Sequence, residues 1–477
     1  KGGIDNDHHT TLASYPGEWA VINGTGGPGG SQSAVIKNLD AWNNQDDLHY
    51  LYYFTFERFE VIGGDQQNCF WGKTKFCKFR YLSLHDTAVG NIKAGIVLII
   101  PQDTTIEYCY IYNHPDDGNN NGGNIVFVSD YRDTEGNGMA FAPTMCTKNN
   151  TIRYNYLLTG GAGYSRQAFR HKNQQRFGYN DRDPNDRTYK DYGDKIHHNI
   201  VLGGGSLIVC QDYAQVYNNI IDSRLHQQTY DVPPVYNNAW YNNTVLGHGL
   251  EMSSGISESG SSRDNYYTAD GIYTVRVPNF ICGNIISEAP NDEYQSFRAY
   301  YSMPGNSDTY NWSMADAVID KNLIYSPGTS KTWIVGRDTS GSGCGVTRYT
   351  TTEFNSCSAT WRGVGSVTNW DTSSGTLFLE ESGYNQYITD GSFVISGSTT
   401  IANGGIGGSH PYLSGVTIPS YVGAVNPSDS DWVAGVLALD VTYFTSATAG
   451  SDPSWIEGSG SSPSTPSFTG VMTGSIR

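Results

Sequence analysis

Short apolar runs closed by polar turns succeed one another along most of this chain, and few stretches carry the three-to-four spacing of a long helix. TTLASYPGEWAVINGTG, from Thr10, places an alternating strand, a Pro-Gly turn and a second strand. HYLYYFTFERFEVIGG from His49 to Gly64, FCKFRYLSLHDT from Phe76 to Thr87, then AGIVLII and TTIEYCYIYNHPDDG continue the same alternation. From there one unit recurs: a polar residue, two or three apolar residues, then small or turn residues. It appears at Asn155, Asn199, Asn219, Asn243, Asn284 and Asn322, at intervals of 44, 20, 24, 41 and 38. The basic step is therefore 20 to 24 residues, and the longer intervals hold either two coils or one coil with an inserted loop.

A repeat of that size predicts a solenoid, because one coil cannot bury its apolar side alone while stacked coils share a continuous core. Asparagines at equivalent turns then form a hydrogen-bonded ladder. The fixed leucine spacing of leucine-rich repeats and the blade signature of propellers are both missing. The expected fold is all-β: a right-handed parallel β-helix solenoid with inserted loops, covering residues 1–440, with Asn155, Asn199, Asn219 and Asn243 at equivalent turns. Residues 260–315 and 336–371 read as insertions, and 441–477 as a Ser/Gly/Pro-rich tail or linker.

Composition fits many tight turns between short strands: 56 glycines and 34 tyrosines in 477 residues. No apolar run is long enough to predict a membrane span, and no signal peptide remains at Lys1, as expected of a mature, exported form. Eight cysteines without CxxC spacing fit the same compartment. The close pairs Cys69–Cys77 and Cys344–Cys357 are expected disulfides, while Cys109, Cys146, Cys210 and Cys282 stay open between pairing and burial.

Charge singles out one region. The net charge is −17, yet residues 148–198 hold ten Lys or Arg against five Asp, a local balance of +5. A basic island in an acidic chain predicts a groove for an anion and excludes a general nucleic-acid surface. Lys148 and Arg170 stand 22 residues apart, one coil step, which would set them on neighbouring rungs about 5 Å apart along the stack. Trp19, Trp71, Trp240, Tyr154, Tyr164 and Tyr179 are candidate sugar-stacking rings.

The opening coils and the segments GSFVISGSTTIANGG and IPSYVGAVNPSDSDWVAGV resemble the first and closing coils of secreted pectate-lyase-like β-helix proteins. More specifically, Lys148-Asn-Asn-Thr-Ile-Arg153-Tyr-Asn155 followed by Ala168-Phe169-Arg170-His171 resembles the catalytic coil pair of polysaccharide lyase family 6, the group of chondroitinase B and related alginate lyases. The resemblance spans about 30 residues. It implies a secreted enzyme that cleaves a uronate-containing polysaccharide by β-elimination. Lys148 would be the base, Arg170 the group that stabilises developing charge, and His171 a further catalytic candidate. Arg153, Arg166 and Lys172 would bind the substrate's acidic groups. Family members commonly hold a calcium ion on acidic residues just before the lysine. Here Gly138–Cys146 has no carboxylate, so Ca2+ stays an open cofactor with Asp130, Asp133 and Glu135 as its alternative ligands.

Two other readings compete. Asp116-Asp117-Gly118 and Gly247-His248-Gly249 resemble elements of polygalacturonase-type inverting hydrolases, though some 130 residues apart rather than one coil. A non-enzymatic extracellular rod, self-assembling into filaments or attached through its tail, uses the same fold for another end.

Overall fold

The structure is a computed structural model, and it describes residues 2–27, 33–38, 50–88, 93–115, 122–128, 147–159, 167–172, 193–209, 211, 213–227, 238–246, 249–253, 280–287, 297–300, 318–325, 334–337, 346–349, 378–379, 407–409, 416–426, 431–439 and 443–444. Within them the chain is an all-β parallel solenoid. A repeating coil has three strands. Two short ones, such as Thr151–Arg153 and Tyr156–Leu158, flank a sharp bend and belong to a long sheet that folds around that bend. The third, such as Gln167–Lys172, lies in a second sheet of 11 strands, parallel except for its last pair.

Register sets the coil length. Thr151 pairs with Lys195, Lys195 with Gln215, and Gln215 with Ala239, so steps of 44, 20 and 24 residues each advance one rung. The long intervals are thus single coils with insertions. Inward residues of all three strand sets, among them Phe79, Ile106, Ile152, Phe169, Ile196, Leu207 and Trp240, fuse into one buried apolar column.

The asparagines form the expected ladder. Asn155 Nδ2 donates to Asn199 Oδ1 at 2.9 Å, Asn199 to Asn219 at 2.9 Å, Asn219 to Asn243 at 3.0 Å, Asn243 to Asn284 at 3.0 Å and Asn284 to Asn322 at 2.9 Å. The oxygen that accepts each bond also accepts the backbone N–H of the asparagine one coil before it, as Asn199 Oδ1 does from Asn155. Strand pairing cannot reach those N–H groups at a bend, and burial makes each one costly to leave unmade. Before Asn155 the rung belongs to Cys109, whose N–H donates to Asn155 Oδ1 at 3.0 Å.

Just before this ladder the bend residue has positive φ in coil after coil: Tyr81, Tyr108, Tyr154, His198, Asn218 and Asn242 all lie between 52° and 54°. The left-handed bend throws these side chains outward, and Tyr81, Tyr108, Tyr154 and His198 stack. The C-terminal region covers this ridge. The helix Asp431–Leu437 sets Trp432 edge-on to His198, and Val433 and Val436 join the same apolar cluster as Tyr81, Tyr108, Tyr154, Ile200 and Ile220. Tyr421 and Gly423 bond to Asn218, Asn242 and Gly283, and Phe444 stacks on Trp19. Residues 416–444 therefore run, where described, along the flank of coils formed far earlier in the chain.

One expectation fails. Cys69 and Cys77 are free and buried. Cys69 lies in the strand Asn68–Gly72 of the second sheet with its Sγ toward Val61 O and His85 O, whereas Cys77 precedes the strand Lys78–His85 of the first sheet with its Sγ 3.0 Å from Leu51 O. Eight residues suffice to turn a corner of the coil, so sequence proximity places the two thiols on different walls. Cys344 and Cys357 lie outside the described residues. Among the described residues no helix is long and apolar enough to cross a membrane.

Candidate active site

Lys148 stands at the corner where the chain leaves the second sheet and enters the strand Thr151–Arg153. It pairs across a parallel bridge with Gln102, which in turn pairs with Lys75. The side chain is half-buried, beside Asp103. Burial raises the Asp103 carboxyl above its usual range, opposed by a hydrogen bond from Asn149 and by the charges of Lys148 and Lys75.

Arg170 belongs to the strand Gln167–Lys172, with Val126 and Ile208 as its register partners. It is half-buried, and its Nη1 donates to Gln167 Oε1 at 3.1 Å. Lys148 and Arg170 are thus not register partners. They occupy the corner and the wall of one and the same 44-residue coil rather than neighbouring rungs, and a buried polar cluster links their neighbours.

That cluster centres on Asp194, fully buried at the start of the next coil. Its Oδ1 accepts from Asn150 N at 2.7 Å and Asn150 Nδ2 at 2.9 Å, and its Oδ2 lies 3.0 Å from His171 Nε2. Gln211 closes the set. Its Nε2 is 2.9 Å from Asp194 Oδ2 and 3.1 Å from His171 Nε2, while its Oε1 accepts from Asp194 N at 2.7 Å. One carboxylate therefore ties the residue two places after Lys148 to the residue one place after Arg170. The surrounding burial makes those bonds stiff, because each lost one strands a group away from water.

The remaining candidates are distributed differently. His171 faces the interior against Phe127 and Phe169, so it contacts the cluster rather than solvent. Arg153 lies on the other sheet, in an outward row where Arg80, Glu107 and Arg153 succeed one another by register. Glu107 accepts from Arg153 Nε at 2.8 Å and Nη2 at 2.6 Å, with Arg80 Nε 3.3 Å away on its other side. Burial pulls the Arg153 guanidinium down, but Glu107 outweighs it and the pKa is raised. Arg153 is committed to an internal ion pair. Lys172 ends the strand of Arg170, in register with Val128.

Arg166, Asp116, Asp117, Gly247, His248 and the carboxylates Asp130, Asp133 and Glu135 lie outside the described residues. Trp71, Trp240 and Tyr154 are buried and make no open stacking platform. Asp194 and Gln211 were not singled out from the sequence: they lie 23 and 40 residues beyond His171, across an insertion that hides the spacing. Their signal was weak, an acid two residues before Ile196 and an amide four residues before Gln215, the partner of Lys195 one coil on. No protein-family model matches this chain, and no curated protein matches it.

Proposed function

We propose that this protein is a secreted polysaccharide lyase that cleaves an acidic, uronate-containing glycan by β-elimination, with Lys148 and Arg170 as its reacting pair. The observation that carries the reading is the Asp194 cluster, which fastens the Lys148 corner to the Arg170 strand while leaving both cations half-exposed. The local resemblance to polysaccharide lyase family 6 supports the same pair, as does the basic island around it.

In the reaction, the neutral amine of Lys148 takes the proton from the carbon beside the uronate carboxylate. The released electron pair forms the new carbon–carbon double bond as the glycosidic C–O bond breaks, and the departing oxygen takes its proton from solvent water. Negative charge grows on the uronate carboxylate in the transition state, where the fixed guanidinium of Arg170 stabilises it. His171 and Asp194 hold that strand in place and do not touch the sugar.

The test is incubation of the full chain with alginate, chondroitin or dermatan sulfate, and pectate, following the absorbance of the unsaturated uronate. A rise that Lys148→Ala abolishes and Arg170→Ala reduces at least a hundredfold supports the reading. New reducing ends without that absorbance would indicate a hydrolase.

A further inference from the structure

Beside Lys148 runs a ridge two residues wide. One row, set by register, is Tyr52, Lys75, Gln102 and Lys148. The adjoining row holds the corner residues with positive φ: Tyr53 at 51°, Phe76 at 56°, Asp103 at 48° and Asn149 at 54°. Each step along either row is one coil, about 4.8 Å. The end near Lys148 is polar and charged, and the far end is aromatic.

The identity of the far end is the informative part. Left-handed backbone suits Asn, Asp and Gly, which is what the row carries at Asp103, Asn149 and Gly193. Tyr53 and Phe76 occupy the same conformation at a steric cost, as Tyr81, Tyr108 and Tyr154 do, so what invites a functional explanation is that these two rings are left half-exposed. Their rings stack with centroids 4.9 Å apart and planes 5° apart. Lys75 Nζ lies 5.7 Å from the Phe76 ring and 5.9 Å from that of Tyr52.

The solenoid uses the same device once more, in the stack of Tyr81, Tyr108 and Tyr154. There the protein itself buries the rings, beneath the helix that carries Trp432. Tyr53, Phe76 and Lys75, by contrast, stay half-exposed. They lie two to three coils from Lys148, on its own ridge. Asp103, between Lys75 and Lys148, feels both ammonium groups.

We propose that Phe76, Tyr53 and Lys75 form a distal subsite for an acidic polysaccharide, taking the apolar face of a sugar ring on the aromatic pair and a uronate carboxylate on Lys75. This rests on the lyase reading and gives it a direction: the glycan runs from Lys148 along the coil axis toward the N-terminal coils. Binding then depends on chain length, because only an oligomer long enough to span two to three coils reaches both ends.

Calorimetry on the full chain with uronate dimers and heptamers prepared from alginate and from pectate tests it, using Phe76→Asn and Lys75→Gln. Asparagine tolerates the left-handed corner, so Phe76→Asn removes the ring without straining the bend. Each variant is expected to weaken heptamer binding about tenfold and leave dimer binding within about twofold. Heptamer binding equal to wild type in both variants overturns the subsite, as does an equal loss for dimer and heptamer, or no binding of either oligomer by the wild type. Length-dependent loss in a protein that forms no unsaturated product would keep the subsite and remove the lyase.

Discussion

Nε2 of His171 lies 3.0 Å from Oδ2 of Asp194, and both side chains are almost wholly shut off from solvent. The acid stands at the head of the next coil, so this contact is made between turns of the solenoid. It fixes the rotation of one coil against the next beside Arg170.

Removing the carboxylate strands several donors at once. Asp194→Ala leaves Asn150 N, Asn150 Nδ2 and Gln211 Nε2 without that acceptor. It should cost about 3–5 kcal/mol in urea unfolding. Asp194→Asn keeps one acceptor oxygen and should cost clearly less, yet still lower the turnover of a uronate polysaccharide more than it changes KM, as expected of a positioning residue.

The asparagine ladder makes a similar prediction at a site remote from Lys148. Asn219 Nδ2 donates to Ile196 O and Asn243 Oδ1, while its own Oδ1 accepts from Asn199 N and Nδ2. Asn219→Ala orphans partners on the rungs to either side and should lower stability by at least about 3 kcal/mol. Exposed Asn23→Ala should cost less than about 1 kcal/mol in the same titration.

Stability should fall in mild acid. Burial holds the imidazoles of His114 and His198 down at about 3, with Arg153 adding to the shift at His198, and burial with the charge of His198 lowers His197 as well. Below pH 6.5 the unfolded chain takes up protons that the folded chain refuses, so stability drops as pH falls from about 6.5 toward 3. Each fully independent histidine contributes up to about 1.4 kcal/mol per pH unit. Asp103 and Asp222, raised by burial, bind protons more readily when folded and offset part of this loss in the more acidic range. Urea midpoints at pH 7.5, 5.5 and 4.5 measure the slope. His198→Asn, which suits the same left-handed bend, should flatten it.

Thiol chemistry separates the observed cysteines from a disulfide. Burial pushes the thiols of Cys77 and Cys109 up to about 12 and raises that of Cys69. Native protein treated with an aromatic disulfide reagent should leave Cys69, Cys77 and Cys109 unlabelled, and unfolding should expose them without any reductant. Peptide mapping that finds Cys69 linked to Cys77 would contradict the structure.

The axial pattern was legible in the sequence because a ladder residue must recur at the same corner: the asparagine intervals alone located the bends. Wall and corner were harder to tell apart. Lys148 and Arg170 are one 22-residue step apart in sequence, yet the coil they share takes 44 residues to close, so one turns the corner and the other lies in the wall. Arg153 read as a free cation because its partner Glu107 lies 46 residues earlier, one coil below. Cys69 and Cys77 misled for the opposite reason, since nearness along a coil does not survive the turn. Tyr53 and Phe76 lie in strand-like stretches of sequence, and nothing in the residues marks the left-handed corner they occupy.

A stack of coils ordinarily behaves as a one-dimensional chain of neighbours, free to fray from either end. The stacking of Trp19 on Phe444 and the bonds of Tyr421 to the bends at Asn218 and Asn242 alter that behaviour. Early and middle coils are joined through residues 416–444, hundreds of positions later in the chain, so opening the first coil also means peeling away that flank. Unfolding should then become one concerted event rather than a progressive unravelling, and completion of the native state must wait for contacts that close almost the whole length of the chain, which makes folding slow and the finished rod long-lived.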